Sequence, residues 1–166
     1  MNILVIDPSG SFEEGKGITG WCLFKDKDLI AVGQIRAEDA PTKYDYWQNH
    51  INLIESIKPD LVVIEDFRLY ADKAMNQINS RMETPKLIAI IEYHLHKLNI
   101  PYHFQMAYEV KNRWEDRILL HKGYITQSTG GRYYAVGSQV SEHIRDAIRH
   151  GVHYVTFKLK QGECHE

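Results

Sequence analysis

The chain predicts an α/β fold with a mixed sheet flanked by helices, and two observations carry that prediction. Two short buried runs, Ile3-Leu4-Val5-Ile6 and Leu61-Val62-Val63-Ile64, each end in a carboxylate, Asp7 and Glu65. Such unbroken β-branched runs suit strands covered on both faces. An amphipathic helical segment lies between them, and strand, helix, strand is the crossover that makes two strands parallel. At 166 residues, 43% hydrophobic and 25% charged, the chain (1–166) is expected to form one domain with a real core.

The elements follow in order. Pro8-Ser9-Gly10 stops the first strand directly behind Asp7. A glycine-rich loop, 8–17, leads into a second strand over 18–24, a polar turn at 25–28 and a third strand over 29–35. The short connections imply an antiparallel meander. Pro41-Thr42 opens a helix in which Trp47, Ile51, Ile54 and Ile57 recur at spacings of three and four, and Pro59-Asp60 ends it. The fourth strand ends at Glu65, and 67–83 is too polar to assign. Thr84-Pro85 has the form of a cap and first turn, so a helix is expected from there to about Asn99 with Leu87, Ile88, Ile91 and Leu95 on one face. A fifth strand is expected over 101–105, a helix over 108–120, a loop over 123–137 and a last helix over 139–158. Val140, Ile144, Ala147, Ile148, Val152, Val155 and Leu159 form the apolar stripe of that last helix.

Composition excludes several classes. No apolar run is long enough to span a bilayer and no basic, signal-like leader precedes the first one, so a cytoplasmic location is expected. Cys22 and Cys164 have no metal-like spacing and are expected to be reduced. A net charge of −2 gives no global field for nucleic acid, so any such surface must be local.

The acids carry the chemistry. Neighbouring strands lie about 4.8 Å apart, so if strands one and four are adjacent, Asp7 and Glu65 leave the same sheet edge within reach of one divalent ion or a pair. Two carboxylates that close repel unless cations neutralise them, and hard oxygen donors suit Mg²⁺ or Mn²⁺. Asp66 should point the other way by strand alternation. In the last helix His143, Asp146 and His150 share one face. Asp146 beside an apolar stripe calls for a partner, and His143 is a candidate ligand or general base. His150 and His153 are expected on a solvated helix edge.

The order of these features, with "DPSGS…ITGW", "VVIEDF", "AYEVKNRW" and "HIRDAIRH", resembles the RuvC family of Holliday junction resolvases, within the RNase H-like nuclease superfamily. The resemblance covers roughly residues 2 to 155. It implies an RNase H-like fold with a mixed five-stranded sheet, and a Mg²⁺- or Mn²⁺-dependent endonuclease. It also implies a homodimer acting on four-way junctions or other branched DNA with two ions per site. Asp7, Glu65, His143 and Asp146 match the catalytic and metal-binding positions of the family, with Glu142 a weaker candidate. DNA contacts are implied at Lys111 and Arg113, and are further expected at Arg117, Lys122, Arg132 and Arg145, with Tyr133 and Tyr134 able to stack on bases. Two departures stand out. Phe12-Glu13-Glu14-Gly15-Lys16-Gly17 lengthens the first loop with acids, and Arg68 stands where the family places a junction-opening aromatic, flanked by Phe67 and Tyr70. Such divergence resembles RuvC-like proteins of bacteriophages.

Overall fold

In the computed structural model the described residues are 1–69, 74 and 81–159. Five strands form the main sheet: β1 (Asn2–Asp7), β2 (Ile18–Lys25), β3 (Asp28–Arg36), β4 (Leu61–Glu65) and β5 (Tyr102–Gln105). Their order is β3-β2-β1-β4-β5, with β1, β2 and β3 antiparallel and β4 and β5 parallel to β1. The expected meander and crossover are both present. The register pairs Ile3 with Leu61 and Ile6 with Ile64, so Asp7 and Glu65 leave adjacent strand ends.

Strand alternation divides the core between two faces. Ile3, Val5, Cys22, Phe24, Leu61 and Val63 pack against Ile144, Ala147, Ile148 and Val152 of the last helix, α5 (Glu142–Phe157). Leu4, Ile6, Val62 and Ile64 pack against α1 (Lys43–Ile57) and α2 (Glu83–Lys97) through Tyr46, Ile54, Leu87, Ile91 and Leu95. Asp7 and Glu65 continue the odd-numbered series, which directs them to the α5 side.

Local chemistry explains most of the helix ends. Thr42 caps α1 in a reciprocal capping box with Asp45. Ser141 caps α5 by accepting from Ile144 N, while its hydroxyl donates to Gln34 Oε1 of β3 at 3.0 Å. Thr84 does not cap α2: the helix begins at Glu83 behind a left-handed Met82. The Thr84 hydroxyl instead accepts from Gly10 N at 3.0 Å, tying the loop behind Asp7 to α2.

Other expectations are corrected. The helix expected over 108–120 is two short ones, α3 (Ala107–Val110) and α4 (Asp116–His121), separated by a turn. Burial of Trp114, 4% exposed with its indole donating to His153 Nδ1 at 3.2 Å, holds that turn out of the helix. Residues 123–137 are not all loop, and the last helix begins at Glu142 rather than 139: β6 (Thr126–Gln127), β7 (Tyr133–Ala135) and β8 (Ser138–Gln139) form a small antiparallel sheet. No helix among the described residues is long and apolar enough to cross a membrane.

Candidate metal and nucleic-acid site

Three carboxylates converge where β1 and β4 end beneath α5. Asp7 is delivered by β1 and Glu65 by β4, while Asp146, 7% exposed, descends from the second turn of α5. The close seating of α5 depends on Gly20, where a Cβ would lie 2.0 Å from the carbonyl oxygen of His143.

The electrostatics are those of crowded negative charge. Burial, then the charges of Glu65 and Asp146, push the Asp7 carboxyl well above the ordinary carboxylate range, and it is hydrogen-bonded to Glu65. Glu65 behaves oppositely. Burial raises it, but the hydrogen bond from His150, together with the charge of Lys111, outweighs that and holds it below its usual value. The two neighbouring carboxyls are thus pushed in opposite directions, as adjacent acids with unequal partners are.

Side-chain cations complete the balance. Lys111 Nζ lies 3.5 Å from Glu65 Oε2 and 3.1 Å from Asp146 Oδ2, bridging β4 to α5. Burial pulls its ammonium down, but Glu65, Asp146 and Asp7 together hold it above the usual lysine range. Arg149, one helical turn beyond Asp146, pairs with Asp146 Oδ1 and with Asp116, and its Nε donates to Trp114 O at 2.9 Å. Both oxygens of Asp146 thus face a cation. Among the described residues no three His, Cys, Asp or Glu side chains close into a metal cage. The donor set nonetheless fits a hard divalent cation. It is all oxygen, and Asp7, raised first by burial and then by the charges of Glu65 and Asp146, is a carboxyl whose ionised form a cation would favour. Lys111, 40% exposed, is the side chain that can yield; Arg149, 11% exposed and held on three sides, is not.

The loop behind Asp7 is anchored by a buried polar network. Ser9 N donates to Thr19 Oγ1 at 3.1 Å, and Tyr46 OH donates to Ser9 O. His50 Nδ1–H donates to Tyr46 O at 2.7 Å, leaving Nε2 to accept from the Thr19 hydroxyl at 2.8 Å. Burial lowers the His50 imidazole to about 4, in keeping with that neutral tautomer. Farther along the loop, Glu13 pairs with Arg81, which neutralises one of the two acids.

The remaining expected residues are scattered. His143, half-buried in the first turn of α5, makes no side-chain hydrogen bond or ion pair among the described residues, and Glu142 is exposed. Phe67 lines a cavity of about 220 Å³ with Pro8, Glu65, Asp66, Thr84 and Ile88; Arg68 is exposed. Tyr70 lies outside the described residues, as does Cys164, while Cys22 is a free, buried thiol. Arg113 and Arg132 are exposed, the former lying 4.2 Å over the Phe157 ring. Arg145 turns inward, pairing with Asp116 at 3.1 Å and covering Tyr133 at 4.3 Å, so both are engaged within the fold.

His150 and His153 correct the solvated-edge expectation. His150 is 0% exposed and His153 is 9% exposed, because α5 is packed against the sheet on one flank and the Trp114 turn on the other. Sequence reasoning missed Arg149, Asp116 and Gln105. Arg149 stands three residues beyond Asp146, a pairing the helical repeat makes available.

No family profile matches this chain, and no curated protein does. Solved structures do match. One, T. thermophilus RuvC in complex with Holliday junction substrate, has a TM-score of 0.65 at 12% identity, covering 98% of this chain and 96% of that one. A second, a Thermus thermophilus RuvC structure, has a TM-score of 0.63 at 13% identity over 98% and 97%. The fold is RuvC-like, a mixed five-stranded sheet flanked by helices.

Proposed function

We propose that this RuvC-like chain is a metal-dependent, structure-selective DNA endonuclease that cuts Holliday junctions or other branched DNA. The convergence of Asp7, Glu65 and Asp146 at one sheet edge supports it most strongly. These three, with His143 as a further ligand or base on the same helix face, would hold Mg²⁺ or Mn²⁺. When bound, the metal supplies a nucleophile at neutral pH and stabilises charge on the leaving oxygen. The protein's own part is to hold the carboxylates together on rigid elements, with Lys111 able to leave Glu65 and Asp146 for an incoming phosphate. Arg113 and Arg132 are the exposed cations proposed to contact the DNA backbone, and Phe67 beside Glu65 is the aromatic proposed to meet bases. A homodimer would match the near two-fold symmetry of a four-way junction.

The test is a gel assay on labelled four-way junction, flap, duplex and single strand with Mg²⁺ or Mn²⁺, run beside Asp7→Asn. Paired nicks in the junction that vanish in the variant are the expected result. Equal cutting of flaps and junctions would point to a less selective RNase H-like nuclease. Binding with no metal-dependent cutting would refute the catalytic reading and leave a nucleic-acid-binding module, a reading that the double pairing of Asp146 favours.

A further inference from the structure

Two side chains behind Glu65 have no part in the cleavage reading. His150 of α5 and Gln105, the last residue of β5, are 0% and 2% exposed. The sheet register places Gln105 directly beside Glu65, and His150 reaches down between them. His150 Nε2 lies 2.8 Å from Glu65 Oε2 and Nδ1 lies 2.9 Å from Gln105 Oε1. With its oxygen on His150, the Gln105 amide leaves a buried Nε2 that has no partner among the described residues. Half a turn of that amide gives its nitrogen an acceptor, His150 Nδ1. The relay is then directional: Gln105 donates to His150 Nδ1, and His150 Nε2–H donates to Glu65 Oε2.

We propose that His150 is a positioning residue for Glu65, held in its working tautomer by Gln105. Both the His150 and Lys111 contacts fall on Oε2, which leaves Oε1 uncommitted by them. A fixed Glu65 is thereby presented beside Asp7 as one half of a pre-formed cation seat. The arrangement differs from that of His50, which spends one nitrogen on a backbone carbonyl of its own helix. His150 spends both on side chains at the ends of two adjacent strands, and one of those is the carboxylate in question. Partners that orient a metal's ligands in this way typically govern affinity by about 10–100-fold. The inference rests on the metal-site reading above.

The test is Mn²⁺ binding to the full chain without DNA, followed by loss of the free-ion EPR signal, with circular dichroism melting as the check on folding. His150→Ala is expected to weaken Mn²⁺ binding about 10–100-fold. His150→Gln, whose amide can still donate, is expected to recover most of that loss. A purely structural His150 would lower the melting temperature in both variants without separating their Mn²⁺ affinities. Should His150→Ala not fold, Gln105→Leu serves instead, since it keeps the imidazole and removes what orients it; about a tenfold weakening is expected. Folded His150→Ala or Gln105→Leu binding Mn²⁺ within twofold of the unsubstituted chain would overturn the proposal, as would no recovery in His150→Gln. An unsubstituted chain that binds no Mn²⁺ would remove both this proposal and the metal-site reading. Unchanged affinity in His150→Ala beside Mn²⁺-dependent cutting by the unsubstituted chain would remove this proposal alone.

Discussion

At the scale of single residues, the loop behind Asp7 is held by a histidine that must stay neutral. His50 Nε2 accepts from Thr19, and Thr19 in turn receives Ser9 N, so a proton on Nε2 would take away the acceptor that orients this loop. The folded value is about 4 against 6.5 for an ordinary imidazole. The unfolded chain therefore binds this proton more readily, and the stability His50 contributes is complete above pH 6.5 and lost as pH falls toward 4. The full loss is about 3 kcal/mol. Melting temperatures measured from pH 7 to 4 should fall less steeply in His50→Gln than in the unsubstituted chain, and parallel slopes would contradict the assignment. This residue was not singled out in the sequence, although it falls three after Trp47 and four before Ile54, on the buried face of that helix. Asp7 and Glu65 were legible because a carboxylate closing a buried run is conspicuous. Arg149, His150 and Gln105 were not, because their meaning depends on which strand end α5 covers, and that is a tertiary fact.

At the scale of elements, α5 reaches the site only because two glycines let it lie close to the sheet. A Cβ at Gly20 would meet the His143 carbonyl at 2.0 Å, and one at Gly151 would meet the Phe24 ring at 2.3 Å. The two clashes differ in kind. A ring can shift, whereas the backbone at His143 begins the turn that carries Asp146. Gly20→Ala is expected to cost about 1–3 kcal/mol and to depress metal binding by displacing Asp146, whereas Gly151→Ala should cost stability with little effect on metal. Chemical denaturation with Mn²⁺ titration distinguishes them, and an equal effect on metal from both would refute the argument. Strands β1 to β4 were readable because each is a mainly apolar run between breakers, and β5 because Pro101 precedes a short segment with alternating aromatics, Tyr102 and Phe104. The small β6–β8 sheet was not, since strands of two or three residues, largely exposed, carry no hydrophobic period. The break between α3 and α4 was hidden for a different reason: Trp114 fits a helical stripe, but the structure buries it against His153 instead.

At the scale of the whole molecule, a chain of net charge −2 that binds DNA must do so through an uneven distribution of charge. Residues 111–141 supply it, with Lys111, Arg113, Arg117, Lys122 and Arg132 against only Glu115 and Asp116. Not all basic side chains on this side of the molecule are available. Arg145 and Arg149 share Asp116, and Arg117 faces Glu115, so the count of cations in the sequence overstates the count of phosphate contacts. Each phosphate contact adds about 0.9 to the slope of log affinity against log salt on duplex arms. Fluorescence anisotropy of a labelled junction without divalent metal, across a salt series, reads that slope directly. Arg132→Ala, which removes an exposed guanidinium from the turn before β7, is expected to lower it by about 1. Arg145→Ala should leave the slope unchanged and lower the melting temperature, because it strips Asp116 and Tyr133 of a partner inside the fold. The reverse pattern would mean that Arg145 leaves those partners to reach DNA, and that the surface used for binding is the one over α5 rather than the small sheet beside it.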